Sequence, residues 1–179
     1  MKTNLKKLCV SAILIALSTV LSLIKVWQMP LGGSVTLLSM VPVCMISCLY
    51  GVCYAVLPCL AYGVIQMFLG GVFSWGLTPA VLIACILLDY ILAYTSTCFA
   101  GLFRHKKFGL LYGVAFAFLV RFFCHFVSGA VLFKSFDVFN NPYIYSLCYN
   151  GAYMLPEMII TCIAVFFLSK SKALKKLLY

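Results

Sequence analysis

Acidic residues are nearly absent from this chain: Asp89, Asp137 and Glu157 are the only three among 179. Charged residues of both signs make up 9% of it, against about a quarter in a soluble domain. Sixty-five per cent is hydrophobic and the mean hydropathy is +1.15. So little polar surface cannot coat a water-soluble globule, and the chain reads as an integral membrane protein. Linkers, low-complexity segments and internal repeats are also missing, so residues 1–179 read as one transmembrane domain. No cysteine pair has CxxC spacing and no Cys/His cluster has metal-site spacing. The ten cysteines therefore read as small apolar packing residues, and neither a metal nor a cofactor is expected. GxSxG, HExxH and EF-hand patterns are lacking. "GAVLFKS" (129–135) lacks the second glycine of a phosphate loop. His125 and Ser128 lie three apart with no third member for a hydrolase triad. No catalytic residue is assigned and no enzyme is expected.

What is present is basic charge, thirteen Lys/Arg for a net +10, placed at the ends of apolar runs. A nucleic-acid binder would carry its cations as a stripe on a soluble face. Charge at span ends is instead the positive-inside pattern. Six spans are expected, at about 5–26, 35–50, 52–70, 79–103, 108–133 and 144–169, since a crossing takes about 20 apolar residues. The first reads as a span rather than a cleaved signal, because the run is long and no A-x-A-like site follows. Pro42 and Pro58 are expected to kink spans 2 and 3. Lys2, Lys6 and Lys7, then Arg104, Lys106 and Lys107, then Lys170, Lys172, Lys175 and Lys176 all fall on one side if the spans number six. This predicts an all-α six-helix bundle in the plasma membrane with both termini cytoplasmic.

The opposite side carries three loops rich in Gly, Pro, Asn and aromatics: "QMPLGGSV" (28–35), "GGVFSWGLT" (70–78) and "KSFDVFNNPY" (134–143). Together they could roof a pocket. Beneath them lie four ionisable side chains within spans: Asp89, Arg121, His125 and Glu157. Such residues are costly in lipid and mark sites. Arg121, His125 and Gly129 follow i, i+4, i+8 and share one helix face; Asn150, Tyr153 and Glu157 share another. An apolar cavity with a few converging polar groups and aromatic rings suits a small molecule. Three alternatives stay open on the residues alone. Arg121 and Glu157 could be a buried ion pair. Asp89, His125 and Glu157 could relay protons in a self-contained proton-coupled carrier. The face of Ala12 and Ala16 in span 1 could pack internally or receive a partner helix.

These stretches resemble the thiamine-specific substrate-binding (S) components of energy-coupling factor (ECF) vitamin transporters. The resemblance covers nearly the whole chain. It is concentrated in "MPLGGSVTLLSMVP" (29–42), "LLDYILAY" (87–94), "LVRFFCHFVSGAVLF" (119–133) and "YIYSLCYNGAYMLP" (143–156). It implies an ABC-type importer in which this chain binds thiamine beneath the loop between helices 1 and 2, with Gly32, Gly33 and Ser34 in the lid. A transmembrane coupling subunit, docked on Ala12 and Ala16, and two ATPase subunits would be the partners. Position by position, the acid that contacts the aminopyrimidine falls on Asp89 and its aromatic neighbour on Tyr90. The basic residue and histidine of span 5 fall on Arg121 and His125, and the tyrosine and asparagine of span 6 on Tyr145 and Asn150. Trp27 and Trp75 are candidates to stack on the ligand, and Glu157 is expected to offset Arg121. Asp89, one methylene shorter than Glu, leaves room for a related ligand: a thiamine precursor or another vitamin.

Overall fold

The computed structural model describes residues 2–133 and 140–172. Helix α1 (Lys2–Leu23) leads into a two-stranded antiparallel hairpin, β1 (Lys25–Gln28) and β2 (Ser34–Thr36), and then into α2 (Met40–Tyr50) and α3 (Val52–Leu69). A long helix α4 (Pro79–Gly101) follows, then α5 (Gly109–Leu132) and α6 (Pro142–Lys170). Five helices are long and apolar enough to cross a membrane, and α2 is a shorter apolar helix.

The hairpin is a small exception in a mostly helical chain, and it shortens the first two expected spans. Residues 25–28, "KVWQ", combine a β-branched and an aromatic residue, which suit an extended strand. Pro30 opens a single 3-10 turn at the hairpin tip, and Gly32 supplies its positive φ of 90°. The first helix therefore stops at Leu23. Span 2, expected over 35–50, begins as strand and becomes helical only at Met40. Eleven residues rise about 16 Å, half of the roughly 30 Å hydrocarbon core, so α2 does not cross alone. Its apolar run has another cause: residues 40 to 48 are all buried within the protein. Pro42 falls in the first turn of α2, where its missing N–H has no intrahelical partner to lose, so it does not break the helix. Pro58 does lie inside α3, and Pro156 inside α6. A tight turn at Gly51, at φ 91°, separates α2 from α3.

Helix α4 is one continuous span wound unevenly. Its first turns are α-helical, Ile86–Leu92 is π-helical, and Ser96–Gly101 tightens to 3-10. At the start of α6 the Asn141 side chain accepts hydrogen bonds from the N–H groups of Tyr143 and Ile144, capping the helix.

Helices α5 and α6 pack along each other, and the core runs from α2 through α3 to the α5–α6 pair. The basic clusters gather at the Gly51 end. Arg104 Nη1 donates to Leu49 O at 3.2 Å, and Lys7 Nζ lies 5.8 Å from the Tyr50 ring centroid. Lys175 and Lys176 lie outside the described residues.

Candidate functional site

At the opposite end from Gly51, a cavity of about 430 Å³ opens between the hairpin, the α3–α4 loop and helices α3 to α6. Asp89, Tyr90, Arg121, His125, Tyr145, Asn150, Trp75 and Glu157 all line it, as do Gly32, Gly33 and Ser34. Of the three loops expected to roof a pocket, 28–35 and 70–78 meet at its rim. A Cβ on Gly32 would sit 2.9 Å from the Trp75 ring. Residues 134–139 of the third loop lie outside the described residues.

The π-helical turn in α4 decides which side chains face inward. In an α-helix, residues five apart point to different faces; the wider π turn, with its i to i+5 ladder, brings them nearer one face. Asp89, Tyr90 and Tyr94 consequently all line the cavity. Asp89 is then engaged on both oxygens. His125 Nδ1 lies 2.7 Å from Oδ1; on Oδ2, Ser128 Oγ donates a short hydrogen bond and Cys85 Sγ donates at 3.3 Å. Ser128 thus donates to the carboxylate and not to the imidazole. His125 Nε2 is sealed from solvent without a hydrogen-bond partner.

Arg121 is 7% exposed. Its guanidinium stacks 4.3 Å from the Tyr94 ring centroid, a cation–π contact. Nη1 approaches Met40 Sδ at 3.0 Å, and Nε is sealed and unpartnered. Glu157 is near enough to attract it but makes no direct ion pair with it. Among the described residues no carboxylate oxygen lies within 4.0 Å of Arg121, and the salt bridge formed is His125–Asp89. Glu157 instead accepts from the Thr36 N–H at 2.7 Å and from the Thr36 hydroxyl at 2.6 Å, tying β2 to α6. The proposed ion pair fails because α6 spends its acid on an orphan donor of the hairpin. A buried polar group left unpaired costs about 1–3 kcal/mol.

The Asn150 amide joins the walls. Its Nδ2 donates to His125 O at 3.1 Å and Ser146 O at 3.0 Å, and its Oδ1 accepts from Tyr153 OH at 3.0 Å. Tyr145, Tyr149 and Tyr153 form a ring ladder along α6, with centroids 5.8 and 5.9 Å apart. At its centre, Tyr149 OH accepts from the Gly33 N–H at 3.1 Å and donates to Pro30 O, pinning the hairpin tip. Gly33 is needed here for its size: a Cβ would lie 2.8 Å from Tyr153 Cδ1. Trp27 is not part of this cradle. It sits on β1, all of whose residues are exposed, and is itself 50% exposed. The outer strand turns it away while β2 is drawn into the protein.

The sequence model of the thiamine transporter protein family (Thia_YuaJ) matches residues 8–177 of this chain. The chain belongs to that family. It is 35% identical over 178 residues to the thiamine transporter ThiT of Bacillus subtilis (strain 168), covering 90% of this chain and 89% of the relative. Its fold matches a solved structure of ThiT from Listeria monocytogenes with a TM-score of 0.80, covering 98% of each chain at 23% identity. With five helices long and apolar enough to cross a membrane, this thiamine transporter family member is a multi-pass protein of the bacterial plasma membrane.

Several lining residues of this family member escaped the sequence reading. Tyr94, four residues after Tyr90 on the same helix face, was not singled out. Gln66, which donates to Ser22 Oγ at 2.9 Å, and Thr36 carry no charge to draw attention in an apolar run. Ala12 and Ala16 are exposed on α1 beside exposed Ile13 and Leu17, whereas Ser11 turns inward to Tyr54 OH at 3.3 Å.

Proposed function

We propose that this chain is the thiamine-binding S component of an ECF-type importer, without catalytic activity of its own. The observation that carries this reading is a cavity in which an acid–imidazole pair, a guanidinium and a ladder of aromatic rings converge under a pinned hairpin. Thiamine joins a neutral aminopyrimidine to a permanently cationic thiazolium. Aromatic faces attract such a cation and stack on both flat rings; Trp75, Tyr90 and Tyr145 take that part. Asp89 and His125 act as one unit toward the aminopyrimidine, with Arg121 beside them and Asn150 holding the α5–α6 wall.

In this reading the chain crosses the membrane with both termini in the cytoplasm. The cavity faces outward, and Lys7, Arg104 and Lys170 face inward. Gly32, Gly33 and Ser34 form the lid. The exposed face around Ala12 and Ala16 takes a transmembrane coupling subunit, whose two ATPase partners supply the energy. A proton relay is disfavoured, because Glu157 is bonded to Thr36 and not chained to Asp89 and His125.

Tryptophan fluorescence of the purified chain, titrated with thiamine, tests the assignment. Quenching is expected to saturate in the wild type and in Trp27→Phe, and to be largely lost in Trp75→Phe. Stronger binding of an unrelated vitamin would overturn the ligand. Thiamine accumulation in liposomes containing this chain alone would overturn the S-component role.

A further inference from the structure

We propose that the exposed side of the hairpin is an interfacial membrane anchor. Ile24, Val26, Trp27 and Leu37 pack on phospholipid acyl chains just beneath the headgroups, and Lys25 reaches the phosphate layer. The occupant of this face is the lipid interface at the cavity end of the protein. The inference rests on the chain's place in a membrane and is independent of what the cavity binds.

The depth of the strand follows from α1. The apolar stretch Asn4–Leu23 has 20 residues, which rise about 30 Å, the thickness of the hydrocarbon core. With α1 across that core, the chain reaches its boundary at Leu23, and Lys25–Gln28 lies at the level of the headgroups. Exposed apolar side chains along α1, from Leu8 through Ile13, Leu17 and Val20 to Leu23, continue into Ile24, Val26 and Trp27. Leu37, whose N–H donates to Ile24 O at 3.1 Å, adds to the same patch. The lipid-facing surface of α1 thus runs on into the hairpin.

A half-buried strand sends alternate side chains to opposite faces. β1 does not: the register shifts between Lys25 and Trp27, leaving Val26 without a partner across the hairpin, and all four residues are exposed. Leu23, Ile24, Val26 and Trp27 are each at least 49% exposed. In water such a patch costs free energy in proportion to its area. The hydrocarbon core is excluded too. β1 pairs along one edge only, and the N–H and C=O groups of an open edge find no water there. Between the two lies the interfacial layer, where the edge is hydrated and the apolar side chains meet acyl chains. Tryptophan is favoured at that level because its ring is apolar and its N–H polar. Lysine suits it because the stem lies along lipid while the ammonium rises to the phosphates. Among the described residues no carboxylate pairs with Lys25. The hairpin therefore faces two media: lipid on β1 and, through the Thr36–Glu157 bonds, protein on β2.

The chain has two tryptophans, Trp27 and Trp75, so Trp75→Phe makes Trp27 the sole indole reporter. The full-length variant is reconstituted in phosphatidylcholine vesicles whose acyl chains carry bromine, a contact quencher of indole, either near the headgroup or near the chain end. Headgroup-proximal bromine is expected to lower Trp27 emission at least twofold, and chain-end bromine to lower it less. Quenching by aqueous iodide with no loss to either lipid would place the strand in bulk water and overturn the proposal. Stronger quenching by chain-end bromine would sink the strand into hydrocarbon and overturn it as well. Shielding from iodide and from both lipids, as burial against a second copy or another protein would give, is the third refuting result. Should Trp75→Phe fail to fold, the wild-type signal less that of Trp27→Phe yields the same Trp27 reading.

Discussion

Glu157 and Thr36, 121 residues apart in sequence, are joined by two hydrogen bonds at 2.7 and 2.6 Å that fasten the inner strand of the hairpin to α6. The Thr36 hydroxyl also lies 2.6 Å from Ser39 Oγ, so the root of the hairpin is held at one buried node.

Removing that node should destabilise the protein. Glu157→Leu leaves the Thr36 N–H buried and unpaired, which costs about 1–3 kcal/mol. The thermal midpoint in detergent is expected to fall by roughly 3–10 °C. Glu157→Gln, which can still accept from the N–H and donate to the hydroxyl, should fall by less. Equal midpoints for wild type and Glu157→Leu would refute the anchoring role.

The hairpin tip is held by a different bond. Tyr149→Phe removes both the contact with the Gly33 N–H and the one with Pro30 O. A net loss of about 1 kcal/mol should raise the thiamine dissociation rate about fivefold, read by stopped-flow fluorescence. An unchanged dissociation rate would show that the tip is held elsewhere.

Steric fit gives an independent check on the same contact. Gly33 has φ −58°, which any residue can adopt, so the demand there is space alone. Gly33→Ala places a Cβ 2.8 Å from Tyr153 Cδ1 and 2.9 Å from Tyr149 OH. Thiamine affinity should drop at least fivefold in calorimetry, while Gly76→Ala, with open space around its Cβ, should leave affinity nearly unchanged despite a strained backbone.

Binding and transport should separate on α1. Ala12→Leu together with Ala16→Leu adds bulk to an exposed face far from the cavity lining. Thiamine affinity in detergent is expected to stay within twofold of wild type, and uptake by cells carrying the coupling and ATPase subunits is expected to be lost. Normal uptake would remove this face from the docking surface.

Much of the site was legible because lipid makes charge conspicuous. Asp89, Arg121, His125 and Glu157 stood out as ionisable groups in apolar runs, and all four line one cavity. Their pairing was not legible. Which acid meets which base depends on side-chain reach across helices, and Asp89 took His125 while Glu157 took a backbone N–H that no sequence pattern advertises. The second helix was misjudged because an apolar run reads the same whether lipid or protein surrounds it; α2 is buried in protein. Trp27 was misjudged for a related reason: without the hairpin, a tryptophan near the end of an apolar run looks like part of a pocket rim.

The widened coil at Ile86–Leu92 has a consequence for how this chain can vary. A π turn holds an extra residue within an otherwise helical rod, so the two halves of α4 are out of step with each other. Deleting one residue there would let the rod close into an even spiral, swinging Asp89 by about a quarter turn relative to Tyr94 while the flanking halves stayed apolar and membrane-long. Recognition chemistry in this protein is therefore sensitive to a length change that hydropathy would never register.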